Sequence, residues 1–141
     1  MITDNYIKMC EQAEEIQNLC EFKKGDWFRI SHIAMHPDYE LVILCSDRNK
    51  RFAEGFLHDY IWLLTLEQLF EIILDLRNKD ARIKAKEYEI MADFIDWMLN
   101  TDIDQYKDFN LDFSDTKSCI LIYLMERFYN KVWTGEKWEK E

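Results

Sequence analysis

Two cysteines and two histidines in the first part of the chain occur in the order of a zinc site. Cys10 and Cys20 precede His32 and His36, with the spacing C-x9-C-x11-H-x3-H. Structural zinc sites place such cysteines only about two to four residues apart. On one helix, Cys10 and Cys20 would lie roughly 15 Å apart, whereas two sulfurs on one zinc lie about 3.8 Å apart. Unless that helix breaks, we interpret these as core cysteines and ordinary histidines, and we expect no metal.

A second set of oxygen-bearing residues resembles part of a calcium loop. Asp108, Asn110 and Asp112 fit the first, third and fifth ligand positions of an EF-hand. The position that requires Gly is then Phe113, and the position that requires a bidentate Glu is Cys119. We therefore favour simple alternation, with polar side chains facing water and apolar ones facing the core.

Motifs for nucleophilic catalysis or phosphate binding do not occur in the sequence. It contains no G-x-S-x-G, no P-loop and no G-x-G-x-x-G. Cys45 could in principle pair with His32 or His58, but it ends an apolar run that is typical of a buried strand. We predict that the protein is not an enzyme and uses no cofactor.

Carboxylates dominate the charge of the chain and are concentrated in one segment. The sequence has 28 Asp and Glu against 18 Lys and Arg, for a formal net charge of −10. Residues 76–86 carry five bases and one acid, whereas residues 87–115 carry nine acids and one base. Direct nucleic-acid binding needs clustered Lys and Arg, so this balance argues against it.

Seven of these acids form a candidate partner-binding surface. Glu89, Asp93 and Asp96 would share one face of a helix at i, i+4 and i+7. Four more extend the same sign: Asp102, Asp104, Asp108 and Asp112. The simplest interpretation is a solvated face that keeps the protein soluble. The functional alternative is an anionic surface that docks on a basic partner and steers its association.

The hydrophobic pattern predicts one α+β domain over residues 1–141. An apolar stripe with helical spacing predicts an N-terminal helix: Ile2, Tyr6, Met9, Ala13, Ile16 and Cys20. This stripe should pack on the domain's own sheet, with coiled-coil pairing as the alternative. Strand signals over 27–33, 41–45 and 52–63 predict a three- or four-stranded, mostly antiparallel sheet.

Three further helices should pack on this sheet. Thr65 and Gln68 form a capping box that opens the first. The second runs to about Leu99, with a predicted apolar face of Tyr88, Met91, Phe94, Ile95 and Met98. The third, over 115–130, is apolar on nearly every side in its first half and should be the most buried. A turn then folds Trp138 back onto the domain.

The sequence shows neither a secretory signal nor a membrane span. Its start lacks the basic and apolar regions of a signal peptide. The longest apolar run, residues 119–125, is far shorter than the roughly 20 residues that span a bilayer. We expect a cytoplasmic protein without a membrane partner, whose cysteines are reduced thiols.

Four stretches give the chain a resemblance to a known group. They are YIKMC with EIQ at 6–17, GDWF at 25–28, IWLLTLEQL at 61–69 and KVWTGEKW at 131–138. Together they resemble small phage and prophage proteins of low-GC Gram-positive bacteria, which carry W-L-P-T-x-E-Q-L and K-x-W-x-G-x-x-W. Leu64 departs from that pattern, which has Pro at this position. The resemblance implies a phage origin and supplies no catalytic residue.

These observations favour a non-enzymatic phage-type accessory protein. It would bind and inhibit a host protein with a basic surface, such as a nuclease, in the cytoplasm of the host cell. Anti-CRISPR and anti-restriction inhibitors are the kind that fits its size and charge. Two alternatives stay open: a small-molecule binding protein with an aromatic pocket, and a self-assembling scaffold that uses the stripe of the first helix.

Overall fold

The computed structural model describes residues 3–21, 26–31, 40–44, 60–101 and 116–141. They form helices α1 (Asp4–Gln12), α2 (Glu14–Gln17), α3 (Leu66–Asn78), α4 (Glu87–Asn100) and α5 (Thr116–Tyr129), and strands β1 (Trp27–Ser31), β2 (Glu40–Leu44), β3 (Tyr60–Leu63), β4 (Lys131–Trp133) and β5 (Trp138–Lys140). The predicted mixture of helix and strand is confirmed. The chain divides into two compact units, Met1–Thr65 and Leu66–Glu141.

The N-terminal helix begins with a side-chain cap and is interrupted after nine residues. Thr3 lies at the N-cap, and its hydroxyl accepts the backbone N–H of Tyr6 at 3.1 Å. At Ala13 the backbone leaves the helical region, with φ −84° and ψ 72°. The prediction of one continuous helix as far as Cys20 is therefore wrong, since the last helical turn ends at Gln17.

Gln17 supplies the physical reason for this interruption. The carbonyl of Cys10 accepts the N–H of Ala13 at 3.1 Å and the side-chain amide of Gln17 at 3.0 Å. The same side chain contacts both backbone groups of Trp62: its oxygen accepts the N–H at 2.8 Å, and its nitrogen donates to the carbonyl at 2.9 Å. The Cys10 carbonyl at the break is thus satisfied by Gln17, one turn after Ala13, and the same side chain satisfies the backbone of Trp62.

The strands of the first unit pair antiparallel in the order β2-β1-β3. Phe28 lies opposite Ile43 on one side and opposite Trp62 on the other. Helix α1 packs on β3, and the buried Tyr6 hydroxyl donates to the carbonyl of Leu64 at 2.7 Å. Residues 45–59 lie outside the described residues, so the total number of strands in this sheet stays a prediction. The packing of the later helices on the sheet also stays a prediction.

The stripe of the first helix belongs to the core of the first unit. Its members Tyr6, Met9, Ala13 and Ile16 are fully buried. The predicted packing on the chain's own sheet is confirmed for α1 and β3. These buried members of the stripe are not available as an interface between copies, and the scaffold alternative itself stays a prediction.

The second unit is built around helix α5. Eight consecutive residues from Ser118 to Met125 are buried, which confirms that this helix is deeply enclosed. Helix α3 begins at Leu66, directly after Thr65, as the capping box predicts. Its C-terminal end is tied to the basic connection that follows, because the Asn78 side chain hydrogen-bonds both backbone groups of Ala85.

The tail forms a tight hairpin that returns Trp138 to the second unit. Strands β4 and β5 pair antiparallel, with Trp133 opposite Trp138 and ring centroids 5.1 Å apart. Both indoles are buried. Gly135 has φ 95°, a left-handed conformation that glycine adopts without a steric penalty. The predicted turn that folds Trp138 back is therefore present.

Candidate partner-binding site

Helix α4 buries a different face from the one that the sequence predicts. Ile90 and Phe94 are its buried residues, and the Phe94 ring lies 5.5 Å from that of Tyr123 and 6.1 Å from that of Trp97. Of the five residues in the predicted apolar face, Phe94 is buried, whereas Tyr88, Met91 and Ile95 are exposed. The predicted face is therefore wrong, because α4 carries two apolar faces and α5 contacts the other one.

The exposed apolar face of α4 is a continuous line, called here the outer stripe. Its members recur at spacings of three, four and four residues, so they lie on one side of the helix. Their exposed fractions are high: Tyr88 67%, Met91 42%, Ile95 49% and Leu99 80%. A helix that is apolar on opposite sides is typical of burial on both sides. Among the described residues of this unit, those that pack against α4 cover one of its two apolar sides.

The acids of α4 flank the outer stripe and differ in their surroundings. Asp96 is exposed, and its side chain accepts a hydrogen bond from Asn100 at 3.2 Å. Glu89 is half-buried. Asp93 forms a salt bridge with Arg77 of α3, and both side chains are more than a third exposed. Asp93 is thus partly neutralised, while Glu89 and Asp96 border the stripe with negative charge.

The other four predicted partner-binding acids, Asp102, Asp104, Asp108 and Asp112, lie outside the described residues. The candidate calcium ligands Asp108, Asn110 and Asp112 fall in the same segment. Their role therefore stays a prediction.

A groove of about 520 Å³ runs between α3 and α4. Four apolar residues line it: Phe70 and Leu74 from α3, and Ile90 and Met91 from α4. Three glutamates complete the lining: Glu67, Glu71 and Glu87. None of the described lining residues is a lysine or an arginine. Because Met91 belongs to both features, the groove is continuous with the outer stripe.

A second concavity of about 500 Å³ lies beside the aromatic rings of Trp97 and Tyr123. Its charged lining is mostly acidic and includes Asp93, Asp96, Glu126 and Arg127. Burial raises the pKa of the Tyr123 phenol above its usual range, and the charge of Asp93 acts in the same direction. Arg127 and Arg77 oppose this shift. The concavity therefore combines aromatic surface with negative charge.

Three of the cysteines lie within the described residues, and none of these three forms a disulfide. Cys10 and Cys119 are buried, and Cys20 is half-buried. The interruption at Ala13 removes the argument that one straight helix keeps Cys10 and Cys20 apart. Nevertheless, no three His, Cys, Asp or Glu side chains in the described part of the chain gather closely enough to hold a metal ion. His32 and His36 lie outside that part.

Sequence reasoning missed the outer stripe and the Arg77–Asp93 salt bridge. The signal for the stripe is present in the sequence, because α4 contains two interleaved apolar sets at helical spacing. One set contains Ile90, Phe94 and Trp97, and the other contains Tyr88, Met91, Ile95 and Leu99. Periodicity alone does not say which set faces the core. The salt bridge joins two helices, so no spacing along the chain indicates it.

None of the helices in the described residues is long and apolar enough to cross a bilayer. Comparison of the chain with protein-family models, with curated proteins and with solved structures finds no match.

Proposed function

We propose that this protein is a non-enzymatic binding protein that docks on a basic surface of a host protein and inhibits it. The observation that carries the proposal is the outer stripe of α4 with carboxylates beside it. Exposed apolar residues arranged in a contiguous line mark interaction sites in soluble proteins. Acidic residues around such a line favour partners of opposite charge and accelerate their encounter.

The two kinds of residue have separate roles in this proposal. Tyr88, Ile95 and Leu99 supply apolar area that leaves water on binding, which is the main source of affinity. Glu89 and Asp96, at the border, steer the partner and set its orientation. The predicted contribution of Asp102, Asp104, Asp108 and Asp112 extends the same negative field.

Sequence features support the choice of a host partner. The resemblance to small phage and prophage proteins favours an accessory role against a host system. A host nuclease has a basic nucleic-acid channel, which an acidic surface can occupy in place of phosphates. An inhibitor of the anti-CRISPR or anti-restriction kind is therefore the most specific form of the proposal, acting in the host cytoplasm without a cofactor.

The test is capture of a host protein by the purified full chain, at low and at high salt, followed by measurement with the isolated partner. Two variants separate the two roles. One replaces the apolar residues (Tyr88→Ser, Ile95→Ser, Leu99→Ser), and the other reverses the charges (Glu89→Lys, Asp96→Lys). A matched control reverses two exposed acids of the hairpin tail (Glu136→Lys, Glu139→Lys).

The expected result is a partner whose activity falls on binding and whose affinity falls with salt. The apolar variant should lose at least 10-fold in affinity, since three exposed anchors are removed. The charge variant should mainly slow association. If no partner is retained, or if both variants bind as tightly as the control, the proposal is wrong.

A second candidate function rests on the concavity beside Trp97 and Tyr123. Its volume of about 500 Å³ falls within the usual range of ligand sites. Aromatic faces with nearby carboxylates suit an organic cation. A native mass spectrum of freshly purified protein tests this candidate, because a retained stoichiometric ligand would favour it and its absence would favour the first proposal.

The finer architecture is part of the same proposal. The strand-forming sequence over 52–63 supports a three- or four-stranded, mostly antiparallel sheet in a single domain. The apolar faces of α3 to α5 support packing of these helices on that sheet.

A further inference from the structure

The groove between α3 and α4 has an apolar lining and an acidic rim. Phe70 and Leu74 are half-buried and Ile90 is buried, so an entering apolar side chain would meet hydrocarbon. Glu67, Glu71 and Glu87 are exposed, each on the same groove. An apolar recess with negative charge at its edge favours a ligand that is itself apolar with positive charge beside the apolar part.

The outer stripe extends this recess along α4. From Tyr88 to Leu99 the helix rises by about 16 Å, which corresponds to roughly three turns. Met91 belongs both to the stripe and to the groove. The combined surface is therefore elongated, with one deep part at the groove and one shallow part along α4. Such a shape fits a helix that inserts anchors at i, i+3, i+4 and i+7.

The negative charge of the groove rim distinguishes between the possible occupants of this surface, which are a second copy of the chain, an acidic peptide and a basic segment. A second copy of the chain would bring its own Glu67, Glu71 and Glu87 against the same three glutamates, and like charges brought together oppose association. An acidic peptide meets the same repulsion. A basic segment instead pairs its lysines or arginines with the rim while its apolar side enters the recess.

We infer that the α3–α4 groove and the outer stripe together bind a basic amphipathic helix of the partner protein. This inference rests on the proposed function and specifies the part of the partner that is recognised. One apolar anchor of the helix enters the recess between Leu74 and Ile90, and the following anchors lie along Ile95 and Leu99. Lysine or arginine side chains next to the first anchor contact the glutamates of the rim.

The test uses the full chain and a defined probe. The probe is a fluorescein-labelled 18-residue peptide of leucine and lysine, with leucines at helical i, i+3, i+4 and i+7 spacing. A scrambled peptide of identical composition tests for helical spacing, and a peptide with glutamate in place of lysine tests for charge. Binding is measured by fluorescence anisotropy at low and high salt, together with peptide helicity by circular dichroism.

Three variants locate the bound peptide. Leu74→Ala alters the recess alone, Ile95→Ser alters the stripe alone, and a triple variant removes the rim charges (Glu67→Gln, Glu71→Gln, Glu87→Gln). A charge-matched control carries Glu11→Gln, Glu14→Gln and Glu136→Gln, three exposed residues that do not line the groove. Circular dichroism of each variant shows whether its fold is kept.

The expected result is saturable binding of the helical peptide, at least 10-fold tighter than that of the scrambled one. Leu74→Ala and Ile95→Ser should each weaken it about 5- to 10-fold, and the rim variant should weaken it and reduce its salt dependence. The control should bind like the unaltered chain.

Other outcomes overturn the inference. Equal binding of the scrambled peptide would show that charge alone attracts it, and preferred binding of the glutamate peptide would reverse the expected partner. A stripe-dependent dimer seen by sedimentation would identify a second copy as the occupant. If the captured host partner depends on Ile95 but not on Leu74 or the rim, this inference fails while the proposed function stands. If no partner depends on α4, both fail.

Discussion

At the scale of single residues, Gln17 connects two segments of the first unit that lie 45 residues apart in the chain. Its one side-chain amide makes three hydrogen bonds, to the carbonyl of Cys10 and to both backbone groups of Trp62. Each backbone group would otherwise need water or another partner. A glutamine near the end of a short helix therefore contributes to tertiary structure as well as to the helix.

Replacing this side chain should destabilise the protein. Gln17→Ala leaves the N–H and the carbonyl of Trp62 without their present partner, and we expect a loss of about 2–3 kcal/mol in the free energy of unfolding. Urea denaturation followed by tryptophan fluorescence measures it. The control is Gln12→Ala, an exposed glutamine of the same helical region, which should change stability by less than about 0.5 kcal/mol. Equal effects of the two changes would contradict the assigned role.

The sequence could not indicate this contact. Gln17 and Trp62 lie 45 residues apart, and a glutamine at a helical position has no distinctive spacing. The same reason explains the missed interruption at Ala13, where neither Gly nor Pro marks the break. Helical periodicity continues through it, because Met9, Ala13 and Ile16 are all buried.

At the scale of elements, helix α4 has two apolar faces, and experiment can distinguish the buried face from the exposed one. Phe94 is enclosed by Trp97 and Tyr123, whereas its neighbour Ile95 points outward and is 49% exposed. Adjacent residues of similar apolar character thus have opposite surroundings. The buried Phe94 therefore contributes more to the stability of the free protein than the half-exposed Ile95 does.

Alanine substitution should separate the two positions. Phe94→Ala removes a buried ring and leaves a cavity, so we expect a cost of about 3–5 kcal/mol. Ile95→Ala should cost much less, about 0.5–1 kcal/mol, since about half of the side chain is already exposed to water. Thermal and urea unfolding of both variants measure the difference. Comparable losses would show that the outer stripe is covered within the chain itself.

Other elements follow closely from local sequence. Helix α3 begins at Leu66, directly after Thr65, where the capping-box sequence predicts a helix start. Helix α5 is apolar on nearly every side in its first half, so the burial of this part could be predicted without knowledge of its neighbours. The face of α4 was not predictable in this way, because its two apolar sets are similar and the choice depends on where α5 lies.

At the scale of the whole molecule, the excess of negative charge opposes the compact folded state. The net charge is −10, and the described salt bridges, Arg77–Asp93 and Lys137–Glu139, are partly exposed, so they offset little of the repulsion. Self-repulsion of this kind destabilises a compact chain, and dissolved salt screens it.

Salt should therefore stabilise the protein at neutral pH. Raising NaCl from about 20 mM to about 200 mM shortens the screening length from roughly 20 Å to roughly 7 Å. We expect the Tm at pH 7 to rise by about 2–6 °C. Differential scanning calorimetry measures it. Near the isoelectric point of about 4.8 the net charge vanishes, and the rise should shrink with it. A Tm that falls with salt at pH 7 would show that attractive pairs dominate.

The contact of Gln17 with Trp62 also bears on how the protein avoids aggregation. Among the described strands, β3 is terminal in the order β2-β1-β3, so its outer backbone groups could pair with a strand from another chain. At Trp62 both of those groups are already occupied by one amide. Gln17 thus makes the two hydrogen bonds that a residue of a neighbouring strand would make. A strand from another chain could therefore not pair with the backbone of Trp62 unless it displaced this side chain.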